Sequence, residues 1–330
     1  WRLTGNAGTN SSINFIGTTD AVDWVVRTNN NERMRIAAAG NVAVGTASPN
    51  INTIVHVNDT KAVLYDGGSL GAGGTLNLGP SVRMLWYPKK AAFMAGRVTG
   101  TQWDDGNIGN YSALFGYNNI SRGAYNLVGG ENNAITTAGT HNMMGGINNE
   151  ARGDYNLISG QNNAVSAAAL GDVSNNIING LNNEYGTYGI INGFANESTN
   201  SSATINGNSN FVSGAVGTAF GGNNSISGDF GIAIGANNTI SGNYGFVVGG
   251  NLTTGNTLVG NHSFVQGDNN TISSGGSFNS AFGQNHVVSG TSSHNAVFGQ
   301  DNNVSGGWSL TAGFFNILSA PFSADISKIS

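Results

Sequence analysis

Glycine recurs in this chain on a fixed beat. From Phe220 the sequence reads FGGNNSISGDFG, IAIGANNTISGNYG and FVVGG, so that Gly221, Gly235 and Gly249 stand fourteen residues apart. The beat continues through glycines 116, 130, 146, 160, 180, 193, 207, 221, 235, 249, 260, 267, 283, 299 and 313, mostly at intervals of thirteen, fourteen or sixteen. A unit this short cannot bury its own apolar face, so repeating it means stacked coils around one shared core. The longer step from 160 to 180 predicts a loop at 166–176, and the short steps from 249 to 267 predict one coil with an insertion.

The content of one coil is readable. Fourteen residues hold two strands of about four and two turns, with glycine supplying positive φ at the turns and asparagine tolerating the left-handed region. Asn doublets follow most of the glycines, as at Asn118-Asn119, Asn132-Asn133 and Asn237-Asn238. Stacked at equivalent positions, they could bond to one another along the rod. The first strand, Ile232-Ala233-Ile234 or Phe246-Val247-Val248, is apolar on both faces and so buried on both. The second, Thr239-Ile240-Ser241, carries one apolar residue between hydroxyls, which is the mark of a half-exposed strand. One thin coil cannot cover both faces of its first strand, so partner copies are expected to cover the outer one. Three chains form the natural closed ring, although the sequence alone does not fix the number. About fourteen coils at ~4.8 Å would make a rod of roughly 65–70 Å.

Composition removes several functions. The 330 residues include no cysteine, which excludes disulfides, thiolate metal sites and a cysteine nucleophile. Charged residues are only 9%, and no Lys or Arg lies between Arg152 and Lys328. A surface without cations releases no phosphate counterions, so no nucleic-acid partner is expected for that half, and anionic membranes are disfavoured. No apolar run reaches the ~18–20 residues of a membrane helix. The five histidines, His56, His141, His262, His286 and His294, lack metal-ligand spacing, and His262 and His286 read as replacements for a turn Asn. Neutral Asn in place of recurrent Asp disfavours regular Ca²⁺ binding. Carboxylates are thin over the roll and Asp104-Asp105 is the one adjacent pair, so no catalytic residue and no cofactor is assigned.

The N-terminal part divides into two modules. Residues 1–50 read as short strands at 12–17, 24–27, 32–36 and 40–45, with a turn at Thr28-Asn29-Asn30-Asn31 and a closing Ser48-Pro49. This unit, with FIGTTD, RTNNNERMRI and GNVAVGT, resembles a shaft or linking module of bacteriophage tail fibres and large bacterial surface proteins. Residues 51–110 carry expected strands at 54–57 and 62–65, a glycine-rich loop at 67–74, and WYPKKAAFMAG and WDDGN. That segment looks like the collar that precedes YadA-like head repeats, with Trp86, Tyr87, Phe93 and Trp103 as core and interface aromatics.

The repeat array, residues 111–307, is similar to the fourteen-residue head repeat of trimeric autotransporter adhesins, the closest match being IAIGANNTISGNYG. The resemblance implies an all-β fold: a homotrimeric, left-handed parallel β-roll of about fourteen residues per coil, trimerising through its apolar strand. It departs from that pattern in its Asn doublets and in its spacing at 160–180 and 249–267. Residues 308–330, rich in apolar mass, break the rhythm and read as a cap or a joint to a following domain. The start at Trp1 reads as a fragment or a processed chain. The end at Ser330 suits a self-cut by a following intramolecular chaperone, and equally the limit of an ordered region.

The module order makes a structural fibre of a phage tail, located in the virion, the leading expectation. Its partners would be its own copies, other tail proteins and a host-surface receptor, either a glycan or a surface protein. A bacterial cell-surface trimeric adhesin is the alternative; a polysaccharide-degrading tailspike and an ice-binding roll stand behind it. Receptor contact is expected first at the loop 166–176 and at Trp308, Phe314 and Phe315, since loops and tips carry recognition.

Overall fold

A computed structural model of the chain describes residue 5 and residues 7–67, 70–71, 73–136, 139–165, 175–186, 188–199, 202–273, 276–290 and 293–319, and the backbone alone of 324–326. It divides into two compact units, Trp1–Asp66 and Gly67–Ser330.

The first unit is a small four-stranded sheet. Strands β1 (Trp24–Thr28) and β2 (Asn31–Ile36) form an antiparallel hairpin. Its corner is Asn29-Asn30, both left-handed at φ 49° and 57°, a twist that suits a hairpin turn. Strand β3 (Val42–Val44) pairs antiparallel with β2, and β4 (Val55–Val57) pairs parallel with β3. Arg35 on β2 meets both Asp23 and Glu32 at 2.6 Å. The strand expected at 12–17 does not form. The carbonyl of Asn10 accepts from the Ile13 and Asn14 amides at 3.1 and 2.7 Å, and its side-chain oxygen accepts from Ser12 at 2.9 Å. Local bonding of this kind takes the backbone away from a ladder. Nor do residues 62–65 form the expected strand: Val63, Leu64 and Tyr65 are exposed and pair with no neighbour.

The second unit opens with an antiparallel hairpin, β5 (Ser81–Tyr87) and β6 (Ala92–Val98), turning through a short 3-10 segment at Pro88–Lys90 and left-handed Ala91. Strand β6 then pairs parallel with the first coil, Phe93 against Ala113 through Arg97 against Tyr117, so the hairpin covers an edge that would otherwise be open. Of the four expected aromatics, Tyr87 and Trp103 are buried, Phe93 is half-buried and Trp86 faces outward. The Tyr87 hydroxyl donates to Asp105 at 2.5 Å. That bond, ahead of the nearby Lys90 and Lys89, holds the carboxyl below its usual range, while burial pushes the tyrosine up.

Beyond the hairpin lies the solenoid that the repeat predicts. Fourteen two-residue strands, from Ile120–Ser121 to Ile317–Leu318, stack as one parallel sheet. A second parallel ladder of longer strands, typically five residues, runs from Ala113–Tyr117 to Leu310–Phe314, and Ala324–Ile326 adds to its end. The lengths differ from the expected four and four because the turns before and after the second strand claim its flanking residues. Each strand sends one side chain into a common core: Ala233 and Ile240 in one coil, Val247 and Leu258 in the next, all 0% exposed. Core volume is traded within a coil. Where Tyr185 replaces an aliphatic residue, Gly189 makes room, since a Cβ there would lie 1.7 Å from the tyrosine oxygen. That oxygen accepts from the Ala203 amide at 2.7 Å, and burial pushes the Tyr185 pKa up to about 12.

The glycine beat marks a position inside the first strand rather than the opening of a turn. Gly221 has φ 118°, and a Cβ on it would sit 1.9 Å from the Gly235 carbonyl oxygen of the next coil. Gly235 stands in the same relation to Gly249. At the turns, the left-handed residue is the first Asn of each doublet, as at Asn118, Asn132 and Asn237, with φ 53–58°. The insertion at 249–267 is absorbed as expected, with Gly249 paired directly to Gly267. Gly260 belongs to the opposite turn, under Gly276. Register also passes straight from Leu157–Gln161 to Ile177–Leu181; of the expected loop at 166–176, residues 166–174 lie outside the described residues. The expected cap begins with one more regular coil, because Gly313 and Asn316 keep both repeating contacts.

Gly221→Ala should lower stability by about 1–3 kcal/mol or more, as a forced left-handed backbone and a steric clash combine. Gly222→Ala should be tolerated, since the nearest atom to its Cβ is 3.7 Å away. Thermal unfolding followed by circular dichroism separates the two.

Candidate functional site

Two kinds of periodic column distinguish this roll: buried amides and exposed rings. The second Asn of each doublet is fully buried, from Asn119 through Asn133, Asn149, Asn163 and Asn183 to Asn270. Asn224 illustrates the pattern. Its amide nitrogen donates to Asn210 Oδ1 at 2.9 Å and to the Gly235 carbonyl at 2.9 Å. Its own Oδ1 accepts from the Asn238 backbone at 3.2 Å and side chain at 2.9 Å. Each amide therefore bonds in both directions along the axis and also ties the turn to the following coil, so that this column of buried amides is satisfied from within the roll.

His286 takes one Asn position, as expected from its place after Asn285. Its Nδ1 accepts from the Asn302 amide at 3.3 Å, which requires the neutral ring, while Nε2 lies 3.1 Å from the Phe282 carbonyl as donor. Burial is the main cause of its lowered pKa. His262, by contrast, does not stand in an Asn position. It lies in the ring column between Tyr244 and Phe278, because the turn it occupies is the return turn before a first strand.

That ring column is absent from the sequence-derived expectations. Tyr111, Tyr125, His141 and Tyr155 stack with centroids 4.8–4.9 Å apart. Phe230, Tyr244, His262, Phe278, His294 and Trp308 form a second stack at 4.2–5.1 Å. Every member has φ between 51° and 63°, a left-handed backbone unusual for bulky residues. Stacking at about 0.5–1.5 kcal/mol per pair offsets that cost. The signal was in the sequence: intervals of 14, 16 and 14 in the first stack, then 14, 18, 16, 16 and 14 in the second, repeat the local glycine intervals. Because the faces of inner rings are turned to each other, only their edges meet solvent. A stacking ligand would find a free face only at the end of a stack.

Trp308 is such an end ring, stacked 4.2 Å from His294 and exposed. Phe314 and Phe315 lie at the other end of the same strand, edge to face with centroids 4.2 Å apart, and are also exposed. The structure thus separates Trp308 from the phenylalanine pair by the length of the strand Leu310–Phe314.

The outer face of the first-strand ladder is largely apolar, interrupted by outward polar residues at Asn179, Asn192, Asn206 and Gln266. Ile232 and Ile234 flank buried Ala233 and are 37% and 38% exposed. Leu127, Met143, Leu157, Ile177 and Ile190 continue the same column, and Val82, Met84 and Trp86 of β5 extend the face to the hairpin. Two of the roll's few carboxylates bond within the roll. Asp154 and Asp229 accept from backbone amides of the preceding coil, at Thr140 and Ala215. Among the described residues no group of three His, Asp or Glu could hold a metal. No protein-family model matches this chain, and no curated protein matches it.

A histidine whose folded pKa lies below its unfolded value supports the fold above that unfolded value, near 6.5, and loses this contribution as pH falls toward the folded pKa. Melting temperature should therefore drop below about pH 6.5, and His286→Asn should make the drop shallower. An identical pH profile for the two proteins would contradict this account of the ladder.

Proposed function

We propose that the chain is the shaft and receptor-bearing section of a homotrimeric fibre, wound left-handed, on a bacteriophage tail. The observation that carries the reading is the outer face of the first-strand ladder, largely apolar over the sixteen strands from Ser81–Tyr87 to Leu310–Phe314. At ~4.8 Å per strand and ~3.3 Å per residue, it measures about 80 Å by 13 Å, on the order of 1,000 Å² per chain. That exceeds the ~800 Å² per partner of a stable specific interface. A soluble chain does not keep a stripe of this size uncovered. Identical copies suit it because a repeating surface is complementary to itself at every coil. The N-terminal unit, whose sequence resembles shaft modules, then links the roll to the rest of the fibre. Its surface partner would be a host glycan or surface protein, met by the exposed rings of Trp308, Phe314 and Phe315. The same features would serve a bacterial surface adhesin, and the neighbouring genes decide between the two.

The native protein should have the mass of three chains in sedimentation or native mass spectrometry, and Ile232→Asp with Ile234→Asp should shift it to monomer. A monomeric wild type would end this reading. Trp308→Ala with Phe315→Ala should keep the trimer mass and lose at least tenfold in binding to host cells. Undiminished binding would move the receptor surface elsewhere.

A further inference from the structure

A repeating apolar face has one weakness: it looks nearly the same after a shift of one coil. Two copies displaced axially by ~4.8 Å would still set aliphatic residues against aliphatic residues, so burial alone barely distinguishes the registers. Something on the face must break the repeat. In the middle outward column of the first strands, Phe220, Ile234 and Val248 are apolar, a single Gln266 follows, and Phe282 and Phe298 come after it. In the same column, three consecutive coils carry Asn179, Asn192 and Asn206, in direct register with one another and bordered by Ser159 and Phe220.

These asparagines differ from those of the buried ladders. Their side chains point outward between Ile177, Ile190 and Thr204 on one side and Leu181 and Phe194 on the other. Asn179 accepts from the Ser159 hydroxyl at 3.0 Å. Among the described residues, the side-chain amides of Asn192 and Asn206 have no hydrogen-bond partner. Three polar groups in the centre of an apolar stripe are unfavourable there unless a covering surface returns their bonds. Asn is suited to that task between identical copies, since each amide offers both a donor and an acceptor and can close a ring with its equivalents.

We propose that Asn179, Asn192 and Asn206 form an amide key that fixes the axial register of the copies. The proposal rests on the homotrimeric reading above. In register, each Asn meets its own equivalent. After a slip of one coil, an outer Asn faces Phe220 and another faces Ser159, and buried amides lose their partners. The device is analogous to a single buried Asn that sets register in a coiled coil, where polarity is accepted in exchange for specificity.

The absence of cysteine makes the test direct. Full-length Ile234→Cys and Val248→Cys chains, one coil apart in the same column, are mixed, refolded and oxidised, and the disulfides are mapped by mass spectrometry. Like-to-like links, 234 to 234 and 248 to 248, should exceed mixed 234-to-248 links by at least tenfold. In the background Asn179→Val, Asn192→Val, Asn206→Val the mass should remain that of three chains, with mixed links rising at least tenfold. Asn192→Val alone, a milder change, should give an intermediate rise. A trimer whose triple variant keeps only like-to-like links overturns the key and leaves the fibre reading intact. A monomeric wild type overturns the fibre reading itself. A trimer with no links of either kind places this column away from its sister copies and also overturns the key.

Discussion

The buried amide ladder is the interaction on which the roll depends. A coil of fourteen residues is too thin to bring its turns back to water and too short to satisfy them internally. The second Asn of each doublet resolves this by bonding to its equivalents above and below and to the carbonyl of the following coil's glycine. Because every amide both gives and receives, the ladder is as strong as its least satisfied rung, and it propagates order along the axis. A second column, through Asn126, Asn142, Asn156 and Asn176, repeats the arrangement at the return turn. It gives way to Gly189, Ala203, Gly217, Gly231 and Gly245 in the middle coils and resumes at Asn279 and Asn295. The roll therefore always keeps one amide column and in its outer coils has two.

Glycine and asparagine share the work unequally. The glycines are fixed by how closely successive coils approach, since any side chain at Gly221 or Gly235 would enter the next carbonyl. The left-handed turns are left to residues that tolerate that backbone at some cost, and stacking recovers part of it. On the outside, the tyrosines, phenylalanines, histidines and tryptophan of the two stacks hold left-handed positions with each ring resting on its neighbour. Insertions do not disturb these columns, because the chain leaves and re-enters at a turn while the registers of both strands stay aligned. That is why the eighteen-residue coil between Gly249 and Gly267 fits into a ladder of shorter ones.

The exterior links this architecture to a biological role. Strands that turn one residue inward leave two or three outward, and in the first ladder those outward residues are mostly aliphatic or aromatic. That stripe is what the proposed self-association would cover, since a repeating surface is complementary to itself. In the proposed register key, the three outward asparagines matter because they form three consecutive polar steps in that column.

The sequence by itself determined the period, the coil, the single buried Ile240 of the second strand, and the axial pairing of the Asn doublets. These follow from spacing, which is local and survives stacking unchanged. It also placed His286 in the amide column correctly and His262 incorrectly, because both follow an Asn and only the stack distinguishes the two turns. The tertiary structure alone decided that the repeating glycine lies within a strand and that the outward rings form two staircases. It also decided that residues 12–17 and 62–65 form no strand. The physical reason is common to all of these. Whether a residue needs positive φ, meets a ring or finds a ladder partner is set by the neighbouring coil or strand, and spacing along one chain does not specify how closely the next one approaches.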